Sequence, residues 1–251
     1  MDGRTTGPAC RFLANVRDLG GIACPGATTR YHRFLRSASP SSATASDFEA
    51  LRAWGVRHVV DLRGQAESPE QTSRLAHLPW VRWTNVALFD VDVTARIETG
   101  AARGDNYLVS SYLSMLSSPR PIREIFAFFA EVPKDECALF HCAAGMDRTG
   151  MVSMLLLALC GASRHDIIVD YCRSFAQTGT VEAALRSPVG EGGRRGRRKS
   201  VTARLLNVRL EAISEVYDRL LGRFGTIERY LAACGVPKDV ADAVAAHLIE
   251  E

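Results

Sequence analysis

Apolar runs and polar punctuation alternate along this chain in a rhythm that predicts interleaved strands and helices. Residues 56–62 (Val-Arg-His-Val-Val-Asp-Leu) are short and β-branched, the signature of a buried strand. The helix-like stretch before them begins at a candidate N-cap, Ser46-Asp47. Residues 81–88 give a second strand, and residues 33–36 an earlier one at a sheet edge. Between 107 and 130 apolar residues recur at helical spacing, interrupted by Ser117-Ser118-Pro119-Arg120-Pro121, so two helices with a break are expected. Residues 137–141 read as an apolar strand, and there the pattern changes. Residues 142–150 (Cys-Ala-Ala-Gly-Met-Asp-Arg-Thr-Gly) are small and polar. Met151, Val152, Met154, Leu155, Leu156, Leu157 and Leu159 then make a helix apolar nearly all round, closed by Gly161. A strand, a short polar loop and a buried helix, in that order, aim a helix N-terminus at whatever the loop holds.

Further on, residues 186–200 are rich in Gly and Arg without apolar periodicity, which predicts a flexible basic surface loop. Arg194, Arg195, Arg197, Arg198 and Lys199 in it are open to three readings. They form a solvated insertion, a basic lid that steers anionic substrates, or a contact for polyanions or a membrane surface, though no amphipathic anchor adjoins them. Residues 205–221, 226–234 and a final amphipathic segment to 251 read as a C-terminal helical region. No internal repeat interrupts the pattern, so 1–251 is expected to form a single α/β domain with appended helices.

Composition narrows the classes. With 31 Lys and Arg against 28 Asp and Glu, the net charge of +3 is too balanced for a general nucleic-acid binder. Seven cysteines without a Cys-x-x-Cys pair fit neither a disulfide framework nor a zinc site, which points to a reducing cytoplasm. The most apolar run is about half the length that crosses a bilayer. No secretory leader, transmembrane segment, cofactor or metal site is expected, and nothing marks an oligomeric state.

Residues 141–149 carry the chemistry. A phosphate monoester can be cleaved without a metal if a thiolate attacks phosphorus while fixed donors hold the three equatorial oxygens. The small residues Ala143 and Ala144, with Gly145 and Met146, let successive backbone N–H groups curl inward as an anion nest at a helix N-terminus. Nest and helix dipole stabilise negative charge on the sulfur of Cys142, the candidate nucleophile. Arg148, six residues later, supplies a planar fork for two phosphate oxygens. Thr149 can donate its hydroxyl to the sulfur as it leaves. The remaining cysteines, Cys10, Cys24, Cys137, Cys160, Cys172 and Cys234, are read as small hydrophobes.

The string His-Cys-x-x-Gly-x-x-Arg-Thr-Gly resembles the signature of the protein tyrosine phosphatase superfamily. Its Ala-Gly-x-Asp-Arg-Thr-Gly form resembles the bacterial tyrosine and dual-specificity group, which includes a secreted mycobacterial phosphatase active on phosphotyrosine and phosphoinositides. Asn15-Val16-Arg17-Asp18-Leu19-Gly20-Gly21 is similar to that group's opening, Leu35-Arg36-Ser37-Ala38 to its Arg-Ser segment, and Gly55 through Arg63 to one of its strands. Asp170-Tyr171 and the stretch from Phe224-Gly225 to Gly235 match its C-terminal helices. The resemblance implies a central, mostly parallel sheet flanked by helices, with extra C-terminal helices, and a metal-independent phosphomonoesterase working through a phosphocysteine. It also implies an aspartic proton donor. Asp90, just after a strand, stands where the group has its acid; Asp92 and Asp147 are the other candidates. Asp61 and Arg63 read as a structural pair.

Met146 stands where the related enzymes have a lysine, which removes a cationic contact to the substrate and offers a soft apolar wall. The substrate is a phosphopeptide or a small phosphomonoester, and a sugar or nucleoside phosphate stays open beside phosphotyrosine. A silent phosphate-binding module is the reading from a different class.

Overall fold

The computed structural model describes residues 7–64, 67, 74–89, 107–175 and 197–250, with side chains for all of these except 197–205 and 250. The chain opens with β1 (Arg17–Asp18), β2 (Ala23–Cys24), β3 (Ala27–Thr29) and β4 (Phe34–Ser37), then α1 (Ala45–Ala53), β5 (Val56–Arg63) and β6 (Arg82–Phe89). Helices α2 (Tyr107–Leu116) and α3 (Pro119–Ala130) lead to β7 (Cys137–His141), α4 (Asp147–Leu159) and α5 (Arg164–Cys172). Helices α6 (Arg197–Phe224), α7 (Ile227–Ala233) and α8 (Lys238–Leu248) and the strand β8 (Ile249–Glu250) complete it. The break between α2 and α3 falls where two prolines predicted it.

Five strands form one sheet in the order β1-β4-β7-β5-β6, with β4, β7, β5 and β6 parallel and the two-residue β1 antiparallel at one edge. Strands β2, β3 and β8 make a small antiparallel sheet. The parallel strands are covered on both faces, as such sheets must be. Side chains alternate along β7, with Cys137 and Leu139 entering the layer of α1 while Ala138 and Phe140 enter the larger core of α2 to α8. In that larger core Phe129 packs edge-on against Phe34 and Phe140, at centroid separations of 4.9 and 5.7 Å. Helix α4 is buried at every residue except Ala158, and it touches α2, α5, α7, α8, β4 and β7.

Four boundaries differ from the sequence reading. The segment read as an edge strand is interior, because Arg17–Asp18 pairs on its outer side and β7 on its inner side. The N-cap of α1 is Thr44, in a reciprocal capping box with Asp47. Residues 197–200, read as part of the basic loop, belong by backbone to α6, since Arg and Lys are good helix formers and the helix starts before its apolar stripe does. The rest of that loop, with Arg194 and Arg195, lies outside the described residues. Helix α8 ends at Leu248, and Ile249–Glu250 leave it to pair with β3. No helix among the described residues is long and apolar enough to cross a membrane.

Candidate active site

The register of the parallel strands brings Ser37, His141 and Asp61 level at the carboxyl edge of the sheet. Cys142 follows His141 directly, so the loop 142–146 opens where ligands bind in open α/β sheets. His141 is fully buried, and burial lowers its tendency to protonate although Asp61 lies 3.8 Å from Nδ1. Asp61 in turn takes both arms of the Arg63 guanidinium, with Nε at 2.9 Å and Nη2 at 2.6 Å, so this pair is structural.

What shapes the loop is where its carbonyls go. Ser39 N–H donates to Ala143 O at 2.8 Å. Asn15 Nδ2 donates to Ala144 O at 3.2 Å and to Gly145 O at 2.8 Å, and Arg36 Nη2 donates to Gly145 O at 3.0 Å. Three successive carbonyls are thus held outward. In a trans peptide the next N–H points the opposite way, so the amides of Ala144, Gly145 and Met146 turn into the loop, at the N-terminus of α4. Gly145 has φ of +69°, and a Cβ there would lie 2.4 Å from Ser37 O. The position therefore demands glycine on two counts.

Behind the loop stands a buried ion network. Asp170 on α5 accepts from Arg17 Nε at 2.8 Å and from Arg36 Nη1 at 2.5 Å. Arg17 also donates to the Asp170 carbonyl at 2.7 Å and reaches Asn15 Oδ1 at 2.5 Å. Burial raises the Asp170 carboxyl, but the two guanidinium groups outweigh it and hold it down to about 2. Arg36 is pushed down to about 10 by burial and by Arg17, against the pull of Asp170 and Cys142. One carboxylate thereby aligns Arg36, which grips a loop carbonyl directly, and Arg17, which holds Asn15 against the loop carbonyls.

Cys142 is 3% exposed at the floor of the loop. The Thr149 hydroxyl is buried and has no hydrogen-bond partner among the described residues. Arg148 is 2% exposed; its Nη2 meets Glu67 Oε1 at 2.7 Å, and its Nη1 meets Glu67 Oε2 and the carbonyl of Phe89, the latter at 3.2 Å. Asp147 turns away from Arg148 into the helical layer, where Tyr112 and Arg209 hold it. Asp90 and Asp92 lie outside the described residues.

Sequence reasoning did not single out Glu67, Tyr112 or Arg209. A lone carboxylate in a polar stretch and an arginine inside an amphipathic helix carry no local signal; only the fold brings them to the loop. Burial pushes the Cys160 and Cys172 thiols up to about 12 and Cys10 to about 11, as expected of inert sulfurs, and Cys137 and Cys234 are buried too. Cys10 and Cys24 are only half-buried.

Comparison with known proteins agrees with this geometry. Residues 9–250 match the model of the tyrosine phosphatase family. A protein of Cupriavidus necator named as a tyrosine-protein phosphatase is 31% identical over 226 residues, covering 87% of this chain and 80% of that protein. A tyrosine-protein phosphatase of Nostoc commune is 29% identical over 168 residues, 66% of this chain and 52% of that protein. The triple specificity protein phosphatase PtpB of Mycobacterium tuberculosis is 26% identical over 191 residues, 66% of this chain and 69% of that protein. The mostly parallel sheet, the loop whose amides converge at a helix N-terminus beside a cysteine, and a family match over nearly the whole length agree: this chain belongs to the tyrosine phosphatase family and is a cysteine-dependent phosphatase acting on phosphorylated substrates.

Proposed function

We propose that Cys142 attacks the phosphorus of an aryl phosphomonoester, phosphotyrosine foremost, while the amides of 143–148 and the Arg148 fork hold the three equatorial oxygens. The P–S bond forms as the ester P–O bond breaks, and the leaving oxygen takes a proton. Water then attacks the phosphocysteine, and Thr149 hydrogen-bonds the departing sulfur. The observation that carries this reading is the set of outward carbonyls, 143 to 145, which turns the following amides toward Cys142. That arrangement stabilises charge that develops on the phosphoryl oxygens and needs no reorganisation during the reaction.

Asp90 is the proposed proton donor. The carbonyl of Phe89, the residue before it, accepts from Arg148, which supports the assignment; the engagement of Asp147 by Arg209 and Tyr112 argues that Asp147 serves the loop instead. The names of the relatives support protein phosphotyrosine, and the triple specificity of one of them supports a wider range. Met146, half-buried beside the loop, favours a second reading, a small metabolic phosphomonoester. The family match from 9 to 250 supports one phosphatase domain, and seven free cysteines support a reducing, cytoplasmic setting.

The test is Cys142→Ser assayed with p-nitrophenyl phosphate in the presence of a chelator. Turnover is expected to vanish while tungstate, a phosphate analogue, still binds, because the amides and Arg148 remain and only the nucleophile is lost. Appreciable residual turnover would overturn the mechanism.

A further inference from the structure

Four helices meet around Asp147, which starts α4 one residue before Arg148. Arg209, on α6 and 6% exposed, donates Nη1 to Asp147 Oδ1 at 2.6 Å. The same nitrogen lies 3.1 Å from the Tyr112 hydroxyl on α2 and 3.5 Å from the Tyr171 hydroxyl on α5. The two hydroxyls are 2.5 Å apart, and Tyr112 also donates to Asp147 Oδ1. The guanidinium carbon sits 4.2 Å from the centroid of the Phe175 ring. Tyr171 reaches this cluster because Gly150, on the first turn of α4, leaves room: a Cβ there would lie 2.7 Å from the tyrosine ring.

A buried Arg–Asp pair is a poor way to gain stability, since desolvating both charges offsets most of their attraction. Its position suggests another reason. The Asp147 carboxylate stands next to a loop that must accept a phosphate dianion, and an uncompensated like charge there would weaken dianion binding. Burial pushes the Tyr112 and Tyr171 hydroxyls far above their ordinary range, so they add no charge of their own, and Arg209 is a cation that faces Asp147.

We propose that Arg209 is a positioning residue of the phosphate site that acts through Asp147: it cancels the carboxylate's charge for the incoming dianion and fixes the first turn of α4, from which Arg148 projects. This rests on reading 142–149 as the phosphate cradle. Helix α6, distant in sequence from the loop, thereby becomes part of the machinery through a residue that does not itself touch the phosphate.

Tungstate affinity, measured by calorimetry, tests the proposal without relying on turnover. Arg209→Met should weaken tungstate binding by about tenfold or more, the effect of losing one nearby positive charge. Arg209→Lys, which keeps the charge but loses the stacking on Phe175, should lose less affinity than Arg209→Met. Adding Asp147→Asn to Arg209→Met should restore tungstate affinity to within about threefold of the unaltered protein, because carboxylate and cation are then both gone. Unaltered affinity in Arg209→Met would overturn the proposal, as would a loss that Asp147→Asn does not relieve. If Arg209→Met alone does not fold, the comparison of the unaltered protein with the double variant and with Asp147→Asn decides: affinity of the double variant within about threefold of the unaltered protein, and tighter binding by Asp147→Asn, support the proposal; unchanged affinity in Asp147→Asn overturns it. Failure of the unaltered protein to bind tungstate would instead overturn the cradle reading, and the proposal with it.

Discussion

At the scale of single residues, the site depends on shapes as much as on charges. Arg148 meets Glu67 through both terminal nitrogens, the geometry of a planar fork, and a lysine would keep the charge but lose the fork. Arg148→Lys should therefore lower kcat by about 10²–10³-fold, the usual cost of losing an oriented donor to transition-state charge. Comparable kcat values would place Arg148 outside the cradle. Gly145→Ala makes a complementary case, since its Cβ would enter the Ser37 carbonyl at a backbone angle that alanine resists. Turnover should collapse and tungstate affinity fall with it, whereas a variant with intact tungstate binding would show that the loop does not need its present curl. The residues proposed to act on the phosphoryl group could be read from the sequence because their chemistry requires them within one short segment. Glu67 and Arg209 were not, because their partners lie 81 and 62 positions away in the chain.

Among the elements, the segment from Asn15 to Asp18, β4 and α5 act as a brace for the loop. Asn15, Arg17, Arg36 and Asp170 are linked by hydrogen bonds, and the brace ends on the carbonyls of Ala144 and Gly145. The Asp170 carboxyl sits near 2 in the fold against an ordinary 3.8, so its contribution to stability is complete above about pH 4 and is lost as pH falls through about 2. Linkage puts that contribution at about 2 kcal/mol. Urea unfolding followed from pH 5 downward should show this acid loss, and Asp170→Asn should lack it while starting from a less stable protein, since two buried guanidiniums lose their counter-ion. An unchanged acid limb in Asp170→Asn would show that this carboxylate is not the one that matters. The elements themselves were mostly legible: the short, continuously apolar β7 and the all-round apolar α4 leave little choice. What local pattern could not show was that a two-residue strand would pair outside β4, or that a basic, non-periodic stretch would enter α6.

For the molecule as a whole, catalysis requires a proton donor from one part of the chain to meet a nucleophile from another. If Asp90 is that donor, Asp90→Asn should slow an alkyl phosphate, whose leaving group needs a full proton, by about 10²–10⁴-fold, and an activated aryl phosphate much less. Asp147→Asn should affect both substrates alike, as expected of a residue that holds the loop. The reverse pattern would make Asp147 the acid. In the proposed mechanism all of this architecture serves covalent catalysis by one sulfur. Acid quenching during turnover of p-nitrophenyl phosphate, followed by peptide mass mapping, tests it most directly. A single phosphoryl adduct is expected on the peptide that carries Cys142, absent when Cys142 is replaced by serine. Turnover with no adduct on that peptide, or with an adduct on another residue, would contradict it.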